Sequence, residues 1–169
     1  MSITLLPDAP PNRLNAALAT LSRLPRSWRL PLFDFLFSRT SRFYRTVGVR
    51  ADRIGPCSVT LTLADRRRVR NHVRSIHAVA LTLPAEYAAG LLVAQHLPAS
   101  AVVVLQSLHM DLRRPVRGAI RATASLNEAQ GSALRDQPKG QLDVPVTIED
   151  ETGAWPVSGV MRMAWLPRK

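Results

Sequence analysis

His77-Ala78-Val79-Ala80-Leu81-Thr82-Leu83-Pro84-Ala85-Glu86-Tyr87-Ala88-Ala89-Gly90-Leu91-Leu92-Val93-Ala94-Gln95-His96-Leu97 is the stretch on which the fold turns. Its alanine and leucine content, and apolar residues around nearly the whole helical circumference, predict a helix buried on almost every side. Glu86 is the only acidic residue between Asp65 and Asp111. Pro84 removes one backbone hydrogen bond, so a kink or a second helix start is expected there.

What surrounds this helix has a different period. Upstream, Val47, Val49 and Ala51 alternate with polar residues, and Ser58 to Ala64 reads Ser-Val-Thr-Leu-Thr-Leu-Ala. That is the pattern of half-buried strands. Downstream of Pro98, four segments have strand length: 101–112, 116–127, 141–150 and 155–166. Pro115 and Gly118 punctuate the first pair, 131–140 reads as a loop, and Glu149 to Gly153 reads as a hairpin turn. Consecutive strands with short connections pair antiparallel. One helix covers such a sheet only if the sheet curls around it. Before the strands, residues 12–24 and 30–44 have helical spacing. Pro25 stops the first, and Pro31 suits the first turn of the second. Phe33, Leu36 and Phe37 are expected to pack on the body of the fold. The chain therefore reads as α+β, with a helical extension over 1–45 and a sheet-and-helix domain over 46–169.

The chain has 169 residues, 46% of them hydrophobic, enough for one substantial core. The single cysteine, Cys57, excludes an intramolecular disulfide and a cysteine-based zinc cluster. The four histidines have no recognised zinc spacing, so neither metal nor resident cofactor is expected. Prolines and arginines interrupt the N-terminal residues, unlike a secretory signal, and no run reads as a membrane span. A soluble, cytoplasmic protein is the expectation. The net charge is +11, and only Lys139 and Lys169 of the basic residues are lysine. Such a charge fits either a solvated surface or attraction to a polyanion. The basic residues are scattered and form no recognition motif, so nucleic acid is not expected as a partner. Arg26, Arg29, Arg39, Arg42 and Arg45 around Phe33 to Phe37 give a weaker pointer to peripheral membrane contact.

The chemistry concentrates just before and inside the long helix. Asn71 precedes His77 by six residues, and Glu86 follows His77 by nine. These two intervals resemble those of the hotdog-fold acyl-CoA thioesterases, in the phenylacetyl-CoA and Arthrobacter-type 4-hydroxybenzoyl-CoA lineages. The order of elements over 46–166 resembles them too. The match looks closest to a branch with an N-terminal helical extension and an Ile-His-Ala helix start, here Ile76-His77-Ala78.

The resemblance implies a hotdog fold, in which a curved antiparallel sheet wraps a long central helix. It implies hydrolysis of acyl-CoA or acyl-carrier-protein thioesters by a homodimer; whether dimers pair further into a tetramer is left open by the sequence. Asparagine and helix start would come from one protomer and the carboxylate from the other. Physical chemistry supplies the reasons. Unpaired amides at a helix N-terminus stabilise a developing oxyanion, and the Ala78 N–H is the natural donor. A carboxylate in an apolar segment has its pKa raised, as suits a general base or nucleophile, and Glu86 is placed for this. Asn71 would position water or the carbonyl. Arg66, Arg67, Arg68 and Arg70 lie just upstream, and Arg113 and Arg114 flank a sheet turn with Arg117. Guanidinium groups suit the phosphates of coenzyme A.

Each residue also has a plainer reading. Glu86 could anchor a buried arginine, His77 could merely open a helix, Asn71 could form a turn, and the arginines could be a solvated rim. The helix start His77-Ala78-Val79 departs from the common His-Gly-Gly, and Pro84 lies two residues before Glu86. Gln106, Ser107 and His109 give no clear counterpart to the hydroxyl residue the family often places near the carboxylate. These departures favour the alternative of a non-catalytic hotdog protein that binds an acyl-CoA or lipid ligand.

Overall fold

The computed structural model describes residues 2–135 and 137–168; Met1, Lys169 and Asp136 of the expected 131–140 loop lie outside them. Helix α4 (Ala78–Gln95) is the expected long helix. It runs without a second start, with Pro84 inside it. Leu81, Ala85, Ala88, Ala89, Leu92 and Val93 are all buried. By length and hydropathy alone α4 could cross a membrane, contrary to the reading that no run does so. Here the apolar circumference is met by protein, because strands pack on it.

Those strands are β1 (Ser2–Ile3), β2 (Val49–Ile54), β3 (Ser58–Leu63), β4 (Ala101–Leu112), β5 (Ile120–Ser125), β6 (Gly140–Asp150) and β7 (Val157–Pro167). They form one sheet in the order β1-β2-β3-β5-β6-β7-β4. The β1–β2 pair is parallel and every other pair antiparallel. Helix α4 touches β3, β5, β6, β7 and β4. Laid flat, that many strands would span roughly 19 Å, about twice a helix diameter, so contact with all of them requires a sheet curved around the helix. This is the hotdog arrangement expected from the sequence.

Three helices precede the sheet: α1 (Arg13–Ser22), α2 (Arg26–Thr40) and α3 (Arg42–Val47). The single helix expected over 30–44 is thus two. Pro25 occupies the N-cap of α2, which places Pro31 inside the helix rather than at its first turn. The break falls at Ser41, whose backbone is extended. Two asparagines fix α1 to the core. Asn12 accepts the Asn15 N–H as a cap and donates to the carbonyls of Ala94 and Leu97, at 3.1 and 2.7 Å. Asn15 donates to Gln95 O at 2.9 Å. Carbonyls at a helix C-terminus lack intrahelical donors, and these side chains supply them to α4.

Helix α2 rests on β1 and β2 through buried Leu30, Phe33 and Asp34, with Phe37 half-buried. Tyr44 of α3 donates to Asp34 Oδ1 at 2.7 Å, and the Ala51 N–H donates to the same oxygen at 2.9 Å. Phe33 and Phe37 stack, Phe37, Tyr44 and Tyr87 meet edge to face, and the Tyr87 hydroxyl is hydrogen-bonded to Ser41 Oγ. Leu36 does not join this packing. It is 45% exposed, against the expectation that it packs beside Phe33 and Phe37.

A short helix α5 (Glu128–Ala133) occupies the start of the expected loop, held by a reciprocal cap between Asn127 and Gln130.

Candidate active site

The approach to α4 is a tightly tied loop. A short 3₁₀ turn, Arg67–Val69, follows β3, and Arg70 bridges to Ile76. Between them Asn71 Oδ1 accepts the N–H groups of Val73 and Ser75, both at 3.1 Å. Arg74 takes a left-handed backbone with φ 62°, uncommon for a side-chain-bearing residue and accommodated by this turn. Asn71 is therefore a turn former, as its plainer reading had it, while its amide nitrogen remains a donor with no acceptor among the described residues. The His77 N–H donates to Val69 O at 2.7 Å and sets the entry angle of the helix.

His77 is the N-cap of α4, and its Nδ1 accepts the Val79 N–H at 3.2 Å. Neutral His77 then carries its proton on the outward nitrogen Nε2. The Ala78 N–H, first in the helix, has no intrahelical partner. Histidine, asparagine and open amide thus share one end of α4.

Glu86 lies elsewhere. Nine residues of helix separate it from His77, about 13 Å along the axis. It is half-buried, and burial pushes its carboxyl above the ordinary carboxylate range. No cation or hydrogen-bond donor reaches it among the described residues, which removes an arginine anchor within this chain. Val79, Thr82, Glu86 and Gly90 follow one another at helical spacing, and none of the four is buried. At Gly90 this stripe looks toward Met163 of β7: a Cβ there would stand 3.8 Å from that methyl. At its Gly90 end the uncovered stripe therefore lies toward β7, whose neighbour in the sheet is β4.

Strand β4 ends the sheet order, and none of the described strands pairs with its outer edge. Val102, Val104, Leu108 and Leu112 along it are exposed. Pairing with β7 skips Gln106, since Leu105 faces Met163 and Ser107 faces Arg162. This bulge changes which side chains face the core: Val103 and Leu105 pack on it before the bulge, Met110 after it. Gln106, Ser107 and His109 are all exposed.

The arginines divide. Arg70 forms a two-pronged pair with Asp65, at 2.7 and 2.8 Å, so it is engaged with a carboxylate rather than open to a phosphate. Arg68 reaches Val47 O at 3.4 Å. A groove of about 240 Å³ opens here, its apolar wall made by Phe43, Val47, Val69, Val79 and Leu83, with Arg68, Arg70 and His77 on it. Arg66 and Arg67 are also exposed. Arg113 donates to Ser158 Oγ at 3.3 Å, and Arg114 is exposed. Ser75 Oγ donates to Val116 O at 3.1 Å and ties the 113–117 loop to the helix-start loop. Phe43 and Asp65 are the residues of this site that sequence reasoning missed. An acidic residue five before Arg70 carried a signal for the second; nothing in the local pattern places Phe43 beside α4. Among the described residues, no three histidine, cysteine, aspartate or glutamate side chains converge as a metal site would require.

Solved structures with this fold are numerous. A Pseudomonas aeruginosa protein of unknown function superposes with TM-score 0.72 at 22% identity, covering 82% of this chain and 95% of its own. A Haemophilus influenzae thioesterase gives 0.67 at 16%, covering 82% and 90%. The E. coli PaaI protein, from the phenylacetic acid degradation operon, gives 0.62 at 14%, covering 76% and 87%. At these identities the likeness establishes the fold. No curated protein matches the sequence. Residues 30–166 match a family described as Domain of unknown function (DUF4442), and the chain belongs to that family, on a hotdog fold.

Proposed function

We propose that this protein hydrolyses acyl thioesters, of coenzyme A or an acyl carrier protein, at a site shared by two protomers. The observation that carries the reading is Glu86: a carboxylate with its proton affinity raised by burial, unpartnered among the described residues, on the uncovered stripe of α4. It stands about 13 Å from its own helix start, beyond the roughly 3 Å reach of one reacting carbonyl. A two-fold pairing through the free β4 edge supplies a helix start from the partner. Structural neighbours described as thioesterases support the same chemistry.

In this reading the thioester carbonyl oxygen accepts the Ala78 N–H, with His77 Nε2 and the Asn71 amide beside it. Glu86 of the other protomer takes a proton from water as the oxygen bonds to the carbonyl carbon. The tetrahedral centre collapses, the C–S bond breaks, and the thiolate leaves and is protonated. Amides fixed at a helix end need no reorganisation as charge develops. Arg66, Arg67, Arg68, Arg113 and Arg114 are the residues assigned to the nucleotide phosphates, with the groove past Phe43 and Val79 for apolar substrate.

One observation favours a second reading, a hotdog protein that holds an acyl ligand without turnover. His77 occupies the Val79 N–H, and Asn71 Oδ1 is committed to its turn, so fewer groups are open than a bare helix end offers. Steady-state hydrolysis across a panel of acyl-CoA esters separates the two. Turnover abolished by Glu86→Gln supports the enzyme, and saturable binding with no turnover supports the ligand-holding protein.

A further inference from the structure

Helix α2 is apolar on two opposite sides. One side carries Leu30, Phe33 and Phe37 into the fold. On a helical wheel the other side centres on Trp28, Phe35 and Arg39, flanked by Pro31 and Leu36, whereas Leu32 beside them packs on the core. Trp28 is 66% exposed, Phe35 55% and Leu36 45%. Large apolar side chains clustered and exposed on one helix face mark an interaction surface, so this outer face calls for a cover. The β4 edge cannot supply it in the strand order, because α2 sits on β1 and β2 at the far end of the sheet.

Charge identifies the cover. Residues 9–64 contain nine arginines, no lysine and only two acidic residues, Asp34 and Asp52. Both aspartates are buried and engaged, Asp34 by Tyr44 and the Ala51 amide, Asp52 by Arg121. Helices α2 and α3 thus present Arg26, Arg29, Arg39, Arg42 and Arg45, while their one acidic residue, Asp34, is buried. Arg39 lies over the Phe35 ring, 5.5 Å from its centroid, so a cation and an aromatic face share one spot. Exposed tryptophan, phenylalanine and leucine interleaved with arginine suit the boundary between acyl chains and anionic headgroups. A purely ionic partner, such as an acidic protein, would leave the apolar centre of the face unused.

We propose that the outer face of α2 seats the protein on an anionic lipid surface, with Trp28, Phe35 and Leu36 inserted and Arg26, Arg39, Arg42 and Arg45 on headgroup phosphates. This goes beyond the thioester reading and does not depend on it, since the measurement reads binding and not turnover.

The test uses the full chain with vesicles of phosphatidylcholine alone, and of phosphatidylcholine with one third phosphatidylglycerol. Co-sedimentation is expected with the anionic vesicles, weaker by about tenfold or more with the neutral ones, and weakened by salt. Trp28 emission should shift to the blue on binding, and should still do so when the other exposed tryptophan is removed by Trp155→Phe. The double variant Trp28→Ser, Phe35→Ser changes only exposed positions and should lose binding by about tenfold or more. Its melting curve and its mass by light scattering should match the parent. Absence of sedimentation, or sedimentation that the double variant retains, overturns the proposal. So does a smaller oligomer in the variant, which assigns the face to a second copy. A Trp28 shift with soluble acyl carrier protein but not with vesicles assigns it to an acidic protein and overturns it as well.

Discussion

His77 caps the helix that it opens: its Nδ1 accepts the Val79 N–H at 3.2 Å, while its own N–H donates to Val69 O at 2.7 Å. One residue therefore fixes both the entry of the chain into α4 and the direction of its free ring nitrogen. Loss of a side-chain N-cap typically costs about 0.5–2 kcal/mol. His77→Ala should lower the melting temperature accordingly. His77→Asn restores a strong cap and should recover stability without recovering turnover. Recovery of both would reduce the ring to a capping role.

Glu86 is expected to serve as the base. Glu86→Gln keeps the shape and removes the proton acceptor, and one positioned acid–base group typically contributes about 10²–10⁴-fold. Turnover should fall by that order with little change in binding. A destabilised variant, or full activity retained, would refute the assignment.

The same residue sets a pH dependence. Burial raises the Glu86 pKa in the folded chain above its unfolded value. Between the two values the folded state binds more protons, so stability falls as pH rises through that window. Activity should move oppositely, rising as the base ionises at a pH above the ordinary carboxylate range. Stability curves of parent and Glu86→Gln should converge at low pH and separate above it, with the variant the more stable. A variant less stable at neutral pH contradicts the sign.

The proposed sharing of the site between protomers makes complementation measurable. Glu86→Gln keeps an intact helix start, and Asn71→Ala with His77→Ala keeps an intact carboxylate. Each alone should be inactive. Mixed and re-equilibrated in equal amounts, half the dimers become hybrid with one intact site each, so about a quarter of parental activity should return. No recovery from hybrids confirmed by mass would place both groups in one protomer's site, and a monomer by light scattering would remove the shared site altogether.

The arginines should divide by their partners. Arg68→Ala is expected to raise KM for a coenzyme A thioester and not for the same acyl group on a small thiol, because a phosphate contact is lost. Arg70→Ala should change KM less, since that guanidinium is held by Asp65. Equal effects of Arg68→Ala on both substrates would assign it to the fold.

Tyr44→Phe removes a buried hydrogen bond to Asp34. A buried polar group left short of a partner costs about 1–3 kcal/mol, and the melting curve should show a loss in that range. An unchanged melting temperature would mean that the Ala51 amide and Arg50, whose guanidinium lies 3.9 Å from the carboxylate, hold it unaided.

Much of this protein is written locally. The run from His77 to Leu97 has no polar side, so it becomes the enclosed helix, and the alternation in Ser58 to Leu63 leaves little choice but a strand, although the fold buries Thr60 on its polar side too. The spacing of Asn71, His77 and Glu86 is likewise fixed by covalent sequence, and with it the roughly 13 Å that separates carboxylate from helix start. Tertiary structure decided what period and spacing do not encode. The bulge at Gln106 alters the facing of β4 because only pairing with β7 reveals the skipped residue. Arg70 is neutralised by Asp65 and Asp34 is bridged by Tyr44 through geometry that sequence distance does not rank. Pro31 sits inside α2 because the helix has already begun at Arg26. Leu36 faces outward while Phe33 and Phe37 face inward, because α2 meets β1 and β2 along one side alone. Hydrophobicity states that a residue gains by burial; the position of its neighbours in space determines which residues obtain it.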